Sequence, residues 1–227
     1  MISFENTEIA FKSKSDHDLR RSYLLFKTLA HNSLVRLGGS FTQSAIKMHV
    51  PVNWIVKPTI YKQFVGGETI EECSPTVRDL EDYNVKAILD YSVEGKESED
   101  DIKAALVETL KSIKNAGKNQ NIPFAVFKPT AFTTPTILEK VSAGKDLTDL
   151  EAEEAGRFRS RIETLCQSAH ENDIPILIDA EDSWFQNFID EVVNAMMAKF
   201  NKDNAIIFNT FQMYRHDRLD FLKLSYK

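Results

Sequence analysis

Cysteine is scarce: the 227 residues hold two, Cys73 and Cys166, far apart and outside any C-x-x-C arrangement. Neither a disulfide framework nor a zinc ribbon follows from them. The five histidines, His17, His31, His49, His170 and His216, share no metal-ligand spacing. With neither a His-Glu-x-x-His motif nor a Gly-rich phosphate loop, no metal site is expected and P-loop chemistry is disfavoured. Long apolar runs are missing too; none approaches the roughly 18 residues that a membrane helix needs. The start, Met1-Ile2-Ser3-Phe4-Glu5-Asn6, has no basic segment leading into an apolar one and does not read as a signal peptide. An excess of positive charge is also lacking. Lys+Arg 28 against Asp+Glu 34 leaves a net charge of -6, unlike the phosphate-backbone track of a nucleic-acid binder, so no nucleic acid partner is expected. Together these absences predict a soluble cytoplasmic protein, with peripheral contact at a membrane surface left open.

What is present is an ordinary globular composition, 42% hydrophobic and 27% charged. The pattern along the chain divides it. Residues 1–84 read as a helical N-terminal region: Ser15 with Asp16 and Asp18 opens one long amphipathic helix that Gly38-Gly39 stops. Shorter helices are expected over 42–48, 54–64 and 76–83, the last with Pro75 in its first turn. From Val85 four β-rich runs appear, at 85–91, 124–128, 176–179 and 205–212, separated by helical stretches. Ser98 opens the first of these helices, which runs to Gly117; others span 135–143, 147–170 and 184–200, the last starting near Asp182 and Ser183. Strands alternating with helices argue for a parallel sheet of βα units. The fold class is α/β: a partial (βα)8 barrel of about four parallel units behind an all-helical lead-in. A complete barrel of this kind takes roughly 250 residues, so residues 85–227 read as the first half of a barrel domain, truncated.

Each β-rich run ends in a polar group: Asp90, Lys128, Asp179 and Gln212. In a parallel barrel the active site forms at the C-terminal ends of the strands, where the loops converge. Alternation puts Ile88 with Asp90, Val126 with Lys128, Leu177 with Asp179, and Phe208 and Thr210 with Gln212, so all four can cap inward-facing apolar columns. Lys128 at such a mouth can bind a carboxylate, pair with Asp179, form a Schiff base, or snorkel as a surface residue. Asp179 lies too far from the next helix to cap it and is free for pocket work. Asp90 reads as a structural hydrogen bonder of its loop. Gln212, a neutral two-way hydrogen bonder, suits either a core edge or a planar heteroaromatic ring.

At these strand ends the chain resembles the proline dehydrogenases. The residues that carry the likeness are Leu89-Asp90-Tyr91-Ser92-Val93-Glu94-Gly95, Phe127-Lys128-Pro129-Thr130-Ala131, Ile178-Asp179-Ala180-Glu181 and Phe208-Asn209-Thr210-Phe211-Gln212-Met213-Tyr214. The resemblance implies an FAD enzyme that oxidises L-proline to 1-pyrroline-5-carboxylate and passes electrons to a quinone. It implies that Lys128 contacts the substrate carboxylate, Asp179 stands beside it, and Gln212 hydrogen-bonds the flavin ring. Pro129 stands where many members carry an aliphatic residue. The family's later strands and paired arginines have no counterpart in this sequence, and Arg215 and Arg218 fall in a following helix. An N-terminal portion inactive alone is therefore expected, with self-association through an exposed half-barrel. The alternatives are a Schiff-base lyase or aldolase using Lys128, and a non-catalytic dimeric scaffold.

Overall fold

A computed structural model describes residues 5–91 and 98–226. The expectations resting on the chain start and on residues 92–97 lie outside these. The chain divides into two compact units, Met1–Val85 and Lys86–Lys227.

The first unit is helical: α1 (Thr7–Ala10), α2 (Asp16–Leu29), α3 (Asn32–Lys47), α4 (Asn53–Val56), α5 (Lys62–Phe64) and α6 (Ile70–Glu81). Ser15 caps α2 as its side chain accepts from Asp18 N. The expected long helix is two. The break falls at Ala30-His31, and α3 runs on through Gly38-Gly39, since a helical glycine costs only about 1 kcal/mol and does not by itself end a helix. Pro58 opens a π-helical segment, Lys57–Tyr61, that joins α4 to α5, as expected where a missing N–H loosens the backbone ladder. The helix expected to begin at Pro75 starts at Ile70, capped by Thr69, and Pro75 lies inside it. Within this unit Ala45 and Val77 are the buried apolar residues among those described, and Leu37, Phe41 and Trp54 are exposed.

The second unit holds α7 (Glu99–Ala116), β1 (Ala125–Phe127), α8 (Pro135–Ser142), α9 (Asp149–Glu171), β2 (Ile176–Ile178), α10 (Gln186–Phe200), β3 (Ile207–Asn209) and α11 (Arg218–Ser225). Ser98 caps α7 and Thr148 forms a capping box with Glu151 on α9. α10 begins later than expected. Phe185 holds its cap position, and its ring has no acceptor to offer the first N–H groups; its own N–H donates to Asp182 O in the preceding turn.

The three strands form one parallel sheet in the order β1-β2-β3, the α/β arrangement that alternating elements predict. The register sets Ala125, Ile176 and Ile207 level, then Val126, Leu177 and Phe208, then Phe127, Ile178 and Asn209. α7 packs on β1 and α10 on β3, with α9 against both helices. Ile176, Ile178 and Ile207 are fully buried, whereas Leu177 and Phe208 on the opposite face are half-buried.

The fourth expected strand, residues 85–91, is not part of the sheet. Its backbone reaches the β1 side once, Ala87 N donating to Asn121 O at 2.9 Å. In a parallel ladder the return bond would come from residue 123, which is Pro123 and has no N–H. Ala87 and Leu89 are its half-buried positions, and Ile88 and Asp90 are exposed, the reverse of the inward pairing expected. Among the described residues no helix is long and apolar enough to cross a membrane.

Candidate functional site

One register step beyond Phe127, Ile178 and Asn209 lie Lys128, Asp179 and Thr210, so the C-terminal ends of three adjacent parallel strands present them together. Lys128 is extended (φ -98°, ψ 121°), and the chain turns immediately after it into a 3-10 helix, Pro129–Phe132, with Pro129 at its first position. That turn is anchored from behind. Arg161, 8% exposed, donates through Nη1 to Phe132 O at 2.9 Å and to Glu154 at 2.7 Å, and through Nη2 to both oxygens of Glu99. Burial works against the Glu154 carboxylate, yet hydrogen bonds from Arg161, Arg157 and Thr133 hold it below its ordinary pKa.

Lys128 and Asp179 do not form a direct ion pair: no carboxylate oxygen among the described residues lies within 4.0 Å of the Lys128 ammonium. They share a field instead. Burial pushes the Asp179 carboxyl above its ordinary pKa, the charge of Lys128 pulls it back, and Asp90 pushes it further up. Asp179 N donates to Phe127 O at 3.1 Å, which fixes its height above β1.

Gln212 follows β3 by three residues and is half-buried. Its Nε2 donates to Ala180 O at 3.4 Å, and its Oε1 meets no donor among the described residues. Thr210 Oγ1 donates to Ile178 O at 3.1 Å and accepts from Ala180 N at 2.7 Å, tying the end of β3 to the exit of β2.

Sequence reasoning missed the polar support beneath these groups. Gln186 (1% exposed) and Asp190 (4%) sit one turn apart on the buried side of α10. Gln186 Oε1 accepts from Glu181 N at 2.8 Å, and its Nε2 donates to Asp190 Oδ1 at 2.8 Å. Asp190 also accepts from Asn209 Nδ2 at 3.0 Å and from Arg218 Nη1 at 2.5 Å. Arg218 is thereby consumed inside the fold. Its Nε and Nη2 go to Asp217, which Arg218 and Arg215 hold down at a pKa of about 2. Glu181, likewise overlooked as a site residue, accepts from Thr130 Oγ1 at 2.7 Å. The one legible signal was polar Gln186 and Asp190 interrupting an otherwise apolar helix face.

An ammonium, two carboxylates and an amide at one end of a parallel sheet can orient a small zwitterion beside an apolar strip. A Dictyostelium discoideum protein named Proline dehydrogenase 1, mitochondrial, is 27% identical over 98% of this chain and 46% of its own length. The carbapenem antibiotics biosynthesis protein CarD of Pectobacterium carotovorum is 32% identical over 72% of this chain and 44% of its own. Among solved structures, proline utilization A from Bdellovibrio bacteriovorus matches with a TM-score of 0.61 at 15% identity, covering 97% of this chain and 24% of that one, a likeness of fold. The chain thus spans about half the length of these curated relatives. Several relatives carry mitochondrial names, a compartment other than the cytoplasm expected from the sequence. The family description Proline dehydrogenase matches residues 73–227, more than half of the chain, and the chain belongs to the proline dehydrogenase family.

Proposed function

We propose that this site serves the oxidation of L-proline to 1-pyrroline-5-carboxylate. In that reaction the amine loses a proton and C5 loses a hydride as a C=N bond forms. The observation that carries the reading is the placement of Lys128 and Asp179 on one register level, with Gln212 just past the end of the next strand. FAD, when bound, supplies the two-electron sink that no side chain of this protein offers. The residues fit such a group: the free Oε1 of Gln212 at the end of a strand whose Phe208 is half-buried suits the edge and face of a planar heteroaromatic ring.

In this reading Lys128 faces the substrate carboxylate. Its ammonium has no carboxylate partner within 4.0 Å among the described residues, so an incoming anion displaces no ion pair there. Asp179 biases the charge around Lys128 and keeps the ammonium turned toward the pocket. Gln212 would hold the edge of the flavin ring, and orientation is the protein's main contribution to the rate. The three strands are read as consecutive members of a (βα)8-type barrel. Electrons leave for a quinone at a membrane surface.

The test adds FAD to the purified protein, follows quenching of flavin fluorescence, and then adds L-proline with a dye acceptor. Expected are flavin uptake that Gln212→Ala weakens and proline-dependent flavin bleaching that Lys128→Ala removes. A protein that takes up neither flavin nor L-proline overturns the reading.

A further inference from the structure

Glu181 is a firmly held acidic group at the sheet's functional end, and the proline reading gives it no role. Its backbone and its side chain are fixed from different directions. Glu181 N donates to Gln186 Oε1 at 2.8 Å, and Gln186 is itself locked by the buried Asp190, which Asn209 and Arg218 hold in turn. The neighbouring Ala180 is pinned by Thr210 through its N–H and by Gln212 through its carbonyl. At the other end, Thr130 Oγ1 donates to Glu181 Oε1 at 2.7 Å. The Thr130 backbone supports the same carboxylate, and no other residue among those described donates to it, so lone pairs are left for one more donor. A carboxylate oxygen whose every support is already in place accepts a hydrogen bond with little ordering cost.

Charge says what should arrive. Lys128 acts on both Asp179 and Glu181, Asp179 acts on Glu181 and Asp90 on Asp179, and both Asp179 and Glu181 are held above their ordinary pKa, burial being the main cause. One ammonium faces two carboxylates. An anion alone would satisfy Lys128 and leave the acids uncompensated; a zwitterion with a carboxylate at one end and an ammonium at the other satisfies both. We propose that Glu181 is the binding residue for the ammonium of the amino-acid substrate, its carboxylate accepting an N–H on a lone pair that Thr130 leaves open while Lys128 faces the substrate carboxylate. The inference rests on the proline reading of the same site and adds the residue that selects an amine. Thr130 acts through Glu181 and is a positioning residue, and Gln186 positions Glu181 from below.

The test compares two ligands by calorimetric titration of the full chain: L-proline, and tetrahydrofuran-2-carboxylate, which keeps ring and carboxylate but has oxygen in place of the N–H group. Losing a charge-assisted hydrogen bond costs about tenfold to a hundredfold in affinity. Glu181→Gln keeps an oxygen for Thr130 to donate to. It is expected to lose L-proline by about that factor, while the ring-oxygen analogue changes by less than about threefold. Thr130→Val keeps the charge and frees the carboxylate; a smaller loss, again for L-proline alone, is expected. If Glu181→Gln does not fold by circular dichroism, Glu181→Asp, which shortens the reach and retains the charge, carries the same comparison. Unchanged L-proline binding, or equal loss of both ligands, overturns the assignment. If the unmodified chain binds the ring-oxygen analogue but not L-proline, the amine contact is refuted while the carboxylate site stands. If it binds neither, the proline reading falls and the assignment falls with it.

Discussion

The two faces of the sheet are built from the same three strands and differ in nearly everything else. On one face Ile176, Ile178 and Ile207 are fully buried beneath helices; on the other Leu177 and Phe208 are half-buried, and Phe124 meets Phe208 edge-on at 5.8 Å. Hydrophobicity does not distinguish them. What does is the connections: the helices that link parallel strands return, as a rule right-handedly, to one side of the sheet, and the side on which α10 packs against β3 becomes the core. The face without helices ends in Lys128 and Asp179, with the ammonium in no close ion pair among the described residues. The covered face ends in Asn209, whose amide is already spent on Asp190. Chemistry is therefore available on the side where packing is incomplete, and the covered side spends its polar groups on holding the strand ends in place.

If that division is right, the covered side is where stability is lost. Asp190→Ala strips the buried one of two carboxylate partners from an arginine that is 5% exposed, leaving it only Asp217, and takes the acceptor from Gln186 and Asn209. Breaking a buried pair in this way costs about 3–5 kcal/mol, read as a shift in the denaturant midpoint, whereas Lys128→Ala changes it by less than about 0.5 kcal/mol. An Asp190→Ala protein as stable as the parent would remove the asymmetry. Next in size, Ile178→Ala empties a fully buried site at a cost of about 2–4 kcal/mol. Its register neighbour one step back on the other face, Leu177, is half-buried, and Leu177→Ala costs about 1 kcal/mol. Equal losses at the two positions would show that something else covers the half-buried face.

How far the sequence carried these conclusions depends on the kind of interaction. The runs at 124–128, 176–179 and 205–212 contain the three strands, and the polar residues ending two of them stand on one register level. Alternation and the βα rhythm are local signals that survive folding. Residues 85–91 show the same alternation and still stay out of the sheet, because pairing depends on what a neighbour can donate, and Pro123 cannot. The break at Ala30-His31 went unread for a related reason: Gly38-Gly39 carried the stronger stop signal, and a propensity of about 1 kcal/mol per glycine is easily overridden. Asp190, Gln186 and Arg218 were illegible because their meaning is pairwise over long separations. Arg218 lies 28 positions from Asp190, and nothing in either residue's surroundings along the chain announces the other.

The smallest effect expected is also the one with an unusual sign. Asp179 lies on the less covered face, yet burial raises its pKa by more than Lys128 lowers it, so ionising it in the folded protein is a net cost. A carboxyl whose folded-state pKa lies above its ordinary value of 3.8 holds its proton more tightly when folded. The stability it contributes is present at low pH and is lost as pH rises from that value through the folded pKa. Asp179→Asn keeps the shape and removes the ionisation. The variant is therefore expected to melt at a higher temperature than the parent at pH 7, to match it near pH 3, and to show a flatter decline between the two. Since Asp179 is proposed to steer Lys128, the same change lowers affinity for L-proline, a trade between stability and function. A variant that melts lower at pH 7 would mean that attraction to Lys128 outweighs burial, and that the pair is a structural contact of the kind seen on the covered face.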